Sequence, residues 1–136
     1  MELDSQQKKA VDNPTIPMAI SAGAGSGKTR VLVERYIKVI IDGLAETEEV
    51  LAITFTIKAA AELKLRIRER LIETELEQPE TKEGSNAQKA LLTIESAPIS
   101  TIHSFCQSIL KKYAIEAEIE PDFQILESNE SSLVYK

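Results

Sequence analysis

The order of apolar segments predicts an α/β fold, a parallel sheet flanked by helices and joined by right-handed crossovers. Two observations carry that expectation. Residues 17–21, 50–55 and 98–102 are short, mostly apolar and of strand character, and each is followed by a stretch with helical spacing of apolar residues. Between the first strand and its helix lies Ala22-Gly23-Ala24-Gly25-Ser26-Gly27-Lys28-Thr29, a close match to the phosphate-loop consensus G-x-x-x-x-G-K-[ST] with a small residue at its first position.

Size and composition bound the function classes. With 136 residues the default is one domain with a real core, which must be aliphatic because aromatics make up only 4% and tryptophan is absent. The formal net charge of −6 argues against a broad duplex-binding face, though not against a local basic or stacking site. Several of the acids cluster in residues 73–83, read as a solvated insertion. A single cysteine, Cys106, rules out an internal disulfide and argues against a cysteine zinc site. The polar N-terminus lacks a secretory apolar region and no run is long enough to span a membrane, so the cytoplasm is the simplest expected location.

In order along the chain, residues 4–11 read as a short helix with Asp4 as N-cap and Gln7 three residues on, ended by Asn13-Pro14. Residues 17–21 are expected as a buried strand. The helix after the glycine-rich loop runs from 28 to about 42, with Val33, Tyr36, Ile37, Ile40 and Ile41 inward and Gly43 as its C-terminal cap. Residues 46–49 form an acidic turn and residues 50–55 a second strand. The following helix, 57 to about 75, carries Ala60, Leu63, Ile67 and Leu71 on one stripe, with Lys64, Arg66, Arg68 and Arg70 mainly off it. Residues 78–86 have no periodicity and read as a solvated loop before a short helix at 87–95. A third strand at 98–102 leads into a helix at 103–117 with Phe105, Ile109, Leu110 and Tyr113 inward and Cys106 packed within. Residues 121–126 are expected to be extended, and 127–136 to begin a new helix.

The candidate chemistry sits at the ends of strands. Gly23, Gly25 and Gly27 let the backbone curl so that its N–H groups face phosphate oxygens, and the helix N-terminus adds partial positive charge. Ala22 through Thr29 therefore form the expected nucleotide site, with Lys28 on the β- and γ-phosphates and the Thr29 hydroxyl on magnesium. Gln7 has two readings, the reciprocal partner of the Asp4 cap or an amide reading the adenine edge. Arg30 is either a solvated helix arginine or a planar group stacked on a base. Thr54, Phe55, Thr56 and Lys58 follow the second strand, at the edge where ligands of parallel sheets collect. Phe55 is either core or a stacking platform for an unpaired base, and Thr56 an N-cap that also suits a phosphate. Thr101 and His103 repeat the arrangement one strand later, with His103 otherwise a surface or capping residue. One histidine and no serine elbow leave no hydrolase triad.

Taken in order, the segments 3–11, 22–30, 54–62 and 100–105 resemble the Q motif and motifs I, Ia and Ib of superfamily 1 DNA helicases of the UvrD/Rep type. The segment 99–106 and the helix before it are most similar to the AddA/RecB branch. That resemblance implies a RecA-like P-loop fold, with residues 1–126 as the N-terminal part of the first motor domain and 127–136 as the start of a following helical segment. It also implies ATP and Mg2+ as cofactors, and 3′–5′ translocation along single-stranded DNA or from a single/double-strand junction in repair or recombination. Its partners would be the rest of the helicase chain and a nuclease subunit, with no membrane. Gln7 then reads adenine, Arg30 packs on it, and Thr54, Phe55, Thr56, Lys58, Thr101 and His103 line the DNA track. Two departures stand out. Ile57 replaces a common asparagine, and no Asp-Glu-x-Gln metal motif occurs, so the chain is expected to be an N-terminal fragment without useful hydrolysis of its own. The alternatives are a self-contained P-loop enzyme such as a small-molecule kinase, which needs that same acid and a lid, and a non-catalytic nucleotide-binding module.

Overall fold

The computed structural model describes residues 3–23, 25–120 and 122–123. Ala24, Pro121 and the stretch 124–136 lie outside the described residues, and with them the expectations of an extended segment at 121–126 and a new helix at 127–136. The chain divides into two units, Met1–Thr101 and Ile102–Lys136.

In the first unit the helical stripe of Ile57–Glu77 (α3) does what its spacing requires. Ala60, Leu63, Ile67 and Leu71 are all buried, and Ile67 and Leu71 are 0% exposed. They meet Val33, Tyr36, Ile37 and Ile40 from Lys28–Ile41 (α2) and Ala87 and Ala90 from Lys82–Thr93 (α4). Full burial of each large aliphatic side chain contributes roughly 1.5–3 kcal/mol, so this three-helix contact dominates the stability of the unit. As composition predicts, the core is aliphatic, with Tyr36 its one aromatic.

Two strands, Ala52–Thr54 (β1) and Ile99–Thr101 (β2), pair in parallel with Ala52 opposite Ile99 and Thr54 opposite Thr101. The α3–α4 hairpin supplies the crossover that parallel pairing demands. Ser5–Asp12 (α1) forms as expected from its capping box, in which Asp4 accepts from the Gln6 and Gln7 amides and Gln7 Oε1 accepts from the Asp4 amide at 3.0 Å. The C-terminus of α2 is closed by Gly43 at φ +69°, with the Leu44 amide reaching the Val39 carbonyl at 3.0 Å.

Three expectations need correction. Residues 17–21 are irregular and exposed rather than a buried strand. A parallel strand is held by its neighbours' ladders, and among the described residues the sheet has only β1 and β2, which pair with each other. The loop expected over 78–86 instead turns helical at Lys82, because Thr81 caps the Gly84 amide at 3.1 Å and Gly84 packs where no side chain fits. A Cβ on Gly84 would lie 1.9 Å from the Gln78 carbonyl oxygen. Asn86, in that same stretch, donates to the Ile41 carbonyl at 2.9 Å and so helps satisfy the end of α2.

The third correction concerns the second unit. Its helix, Ile102–Lys112 (α5), ends in turns over 113–118 and buries none of its residues. Ile109, Leu110 and Tyr113 are exposed, Phe105 is half-buried, and Cys106 is exposed rather than packed. Helical spacing marks a face that wants cover, and within its own unit this face has none among the described residues. Among the described residues no helix is long and apolar enough to cross a membrane.

Two tests follow from this packing. Gly84→Ala forces a backbone collision and should lower stability by about 1–3 kcal/mol, read as a lower urea midpoint. Burial pushes the Tyr36 hydroxyl from 10.0 up to about 12. Because the unfolded hydroxyl ionises first, this stability is intact below pH 10 and is lost as the pH rises from about 10 through 12. The loss is on the order of 2–3 kcal/mol. Tyr36→Phe should abolish that alkaline component, which denaturation curves across this range would show.

Candidate functional site

The glycine-rich loop enters α2 through two left-handed glycines, Gly25 at φ +76° and Gly27 at φ +80°. Only glycine adopts this conformation without strain, which is why the spacing of the motif matters. Gly27 is the N-cap of α2 and brings no side chain to the first amides of the helix, leaving their N–H groups and the dipole available to an anion. Ser26 Oγ donates to the Gly23 carbonyl at 2.7 Å, and the Val31 amide donates to the Gly27 carbonyl at 3.0 Å. Lys28 curls back over the loop and donates from Nζ to the carbonyls of Ala22 (2.6 Å) and Gly23 (2.7 Å). A phosphate presented to the cradle would compete for that ammonium.

The capping role of Gln7 forms, and the other end of its amide docks on the loop. While Oε1 completes the cap of α1, Nε2 donates to the Ser26 carbonyl at 3.0 Å. A glutamine amide has two N–H groups and two oxygen lone pairs, so one donor and one acceptor position remain. Together α1, residues 18–22, Ser26, Lys28 and Val31 line a cleft of about 430 Å³. That volume lies in the range of small-molecule sites. The residues present fit a nucleoside triphosphate: a backbone anion cradle, a lysine and a half-committed amide face one space.

The other expected site residues do not line this cleft. Thr29 lines a separate recess with Thr54, Leu32, Ala59, Glu62 and Leu63, so the loop and the end of β1 share a wall. Arg30 faces α3, beside Val33, Arg66, Glu69, Arg70 and Glu73, and does not line the cleft of Gln7. At the C-terminal end of β1, Thr54 Oγ1 donates to the Thr56 carbonyl at 3.0 Å and Thr56 Oγ1 caps α3 by accepting from the Ala59 amide at 3.1 Å. Phe55 is 100% exposed, which closes the core alternative, and Ile57 is 77% exposed. Lys58 is exposed, and Thr101 is buried opposite Thr54 across the strand pair. His103 stands exposed on the first turn of α5, in the second unit. No group of three or more His, Cys, Asp or Glu suited to a metal occurs among the described residues.

The model of the UvrD/REP helicase N-terminal domain matches residues 3–136. The chain belongs to that family. Curated relatives named as ATP-dependent helicase/nuclease subunits are similar to this UvrD/REP-type chain over most of its length. The protein of Listeria welshimeri is 40% identical over 130 residues, covering 94% of this chain and 10% of the relative. That of Pediococcus pentosaceus is 38% identical over 133 residues, covering 98% and 11%. That of Lactobacillus delbrueckii subsp. bulgaricus is 41% identical over 120 residues, covering 88% and 10%. The chain thus spans about a tenth of the length of the curated relatives it matches.

One residue behind this cleft escapes an apolar-periodicity reading. Arg35 lies seven residues after Lys28, two turns along the same face of α2, and its contacts are all to carbonyls and a thioether of the α1 side. The signal available was that Lys28 and Arg35 share one face of α2 with Val31 between them. For the loop itself the expectation is direct. Lys28→Ala should weaken binding of ATP–magnesium at least tenfold in a titration, and equal affinity of the two proteins would sink the phosphate-cradle assignment.

Proposed function

We propose that this chain is the ATP-binding N-terminal part of the first motor domain of an AddA-like, 3′–5′ translocating DNA helicase that works in repair or recombination. In this reading the fold is a RecA-like P-loop sheet, residues 1–126 belong to the motor domain and 127–136 begin the next helical segment. The observation that carries it is the Gln7 amide, seated on the Ser26 carbonyl while Lys28 and the α2 N-terminus face the same cleft. A phosphate loop alone reports a triphosphate, whereas an amide docked on that loop adds a reader for the base.

Lys28 would hold the β- and γ-phosphates, and the amides of 23–29 would take their remaining oxygens. Thr29 is the ligand this chain offers to Mg2+, which would neutralise charge on the phosphates. The acid that positions attacking water is assigned to sequence beyond these residues, so the isolated piece should hydrolyse ATP barely or not at all. Arg30 faces α3 rather than the cleft of Gln7, so packing on the adenine would require its side chain to leave that recess. Single-stranded DNA is assigned to the sheet edge at Thr54, Phe55, Thr56 and Lys58, with Thr101, buried in this structure, behind them, and to His103 in the second unit. Phe55 would supply a stacking platform, for which its full exposure speaks. The rest of the helicase chain and a nuclease partner complete the machine, with the cytoplasm as its place of action.

The full-length protein tests this directly. Single-stranded DNA should stimulate its ATP hydrolysis, and Lys28→Ala should reduce that rate about a hundredfold or more, as loss of a transition-state charge contact does. Partial duplexes with a 3′ tail should be unwound and those with a 5′ tail should not. Phe55→Ala should weaken single-stranded DNA binding by about 1–3 kcal/mol while leaving ATP affinity unchanged. DNA-independent hydrolysis with unaltered DNA affinity in Phe55→Ala would refute the motor reading of the sheet edge.

A further inference from the structure

We infer that Arg35 is a positioning residue of the nucleotide cleft, clasping both of its walls from behind and so holding Gln7 in register with the loop. The inference rests on the base-reading role proposed for Gln7.

The geometry begins with one face of α2. Lys28, Val31 and Arg35 share it, spread over about 10 Å at 1.5 Å per residue. Lys28 stands at the cleft. Val31 packs against Ala10 and Val11 of α1. Arg35 reaches the far end, where Nη1 donates to the Ala10 carbonyl and Nη2 donates to the carbonyls of Pro14 (2.9 Å) and Ile16 (2.7 Å). Nη1 also approaches Met18 Sδ at 3.6 Å. Ala10 belongs to α1, which carries Gln7, and Pro14 and Ile16 lead into residues 18–22, the opposite wall. A single guanidinium therefore joins both walls to the helix that bears the phosphate lysine.

The energetics favour a positioning role. An eight-residue helix is marginal alone, so α1 is placed by what it packs on. The Ala10 carbonyl is among the last four of α1, which lack partners within the helix, and a cation there also meets the negative end of the dipole. Residues 14–18 have no sheet to hold them. Among the described residues Arg35 forms no ion pair with a carboxylate, so its charge is spent on backbone geometry. Lysine cannot replace it, because one ammonium nitrogen cannot occupy the two nitrogen positions of the fork.

The test compares ATP and GTP as substrates of the full-length protein in DNA-stimulated hydrolysis. Gln7→Ala should reduce the preference for ATP, in kcat/KM, about tenfold, the equivalent of about 1.4 kcal/mol. Arg35→Lys should reduce the same preference at least threefold through a raised KM for ATP, with kcat and the GTP parameters within twofold of wild type. The double variant should be no less selective than Gln7→Ala alone, since both act through one amide. Arg35→Gln keeps a planar donor for one carbonyl and is read in the same assay. A wild-type preference in either Arg35 variant overturns the inference. So does an equal loss of ATP and GTP turnover, which marks a general structural role, or an additive double variant. If Gln7→Ala itself keeps the wild-type preference, the base-reading role falls and takes this inference with it.

Discussion

The lysine of the loop and Arg35 hang on α2, and α2 is held by its inner face against the buried stripe of α3. That contact has two consequences. It fixes the α3–α4 crossover that lets β1 and β2 run parallel, which brings Thr54 and Thr101 to the same edge. It also leaves the opposite face of α2 free to carry Lys28, Val31 and Arg35 toward α1 and the loop. A helix with two occupied faces transmits position between a packed core and a mobile ligand far better than a loop would, because its rise and rotation are set by the backbone.

The polar side of α2 works by shared use of few atoms. The Gln7 amide caps its own helix and touches the loop, the Ser26 hydroxyl braces Gly23, and Lys28 lies over the carbonyls of Ala22 and Gly23. None of these contacts is worth much alone, on the order of 1 kcal/mol each. Their effect is orientation: a cradle whose lysine is already at the loop has little distance to travel when a phosphate arrives.

The two faces differ in what the sequence discloses. Apolar periodicity is a local code, so α1, α2, α3 and their caps were legible, down to the stripe Ala60-Leu63-Ile67-Leu71 and the closure at Gly43. The glycine-rich loop was legible because Gly25 and Gly27 take backbone angles that only glycine adopts freely. Gln7 stayed ambiguous between cap and adenine reader, since both roles need the same amide; the fold shows the cap and adds a contact with the Ser26 carbonyl that neither reading named. Gly84 looked like loop chemistry, yet it is a packing residue, and only the proximity of Gln78 says so.

What the sequence by itself determined is therefore helices α1, α2 and α3, the identity of the core stripe and the glycine-rich entry to α2, all of which depend on neighbours within a few turns. Tertiary structure alone decided that residues 17–21 carry no strand, that α5 leaves its apolar side uncovered, and that Arg30 and Lys28 face different recesses. It also decided that Arg35 gathers carbonyls from positions 10, 14 and 16. The physical reason is common to these cases. A ladder, a covered face and a clasp each require a partner distant in sequence, and periodicity names the residue that seeks a partner without naming the partner.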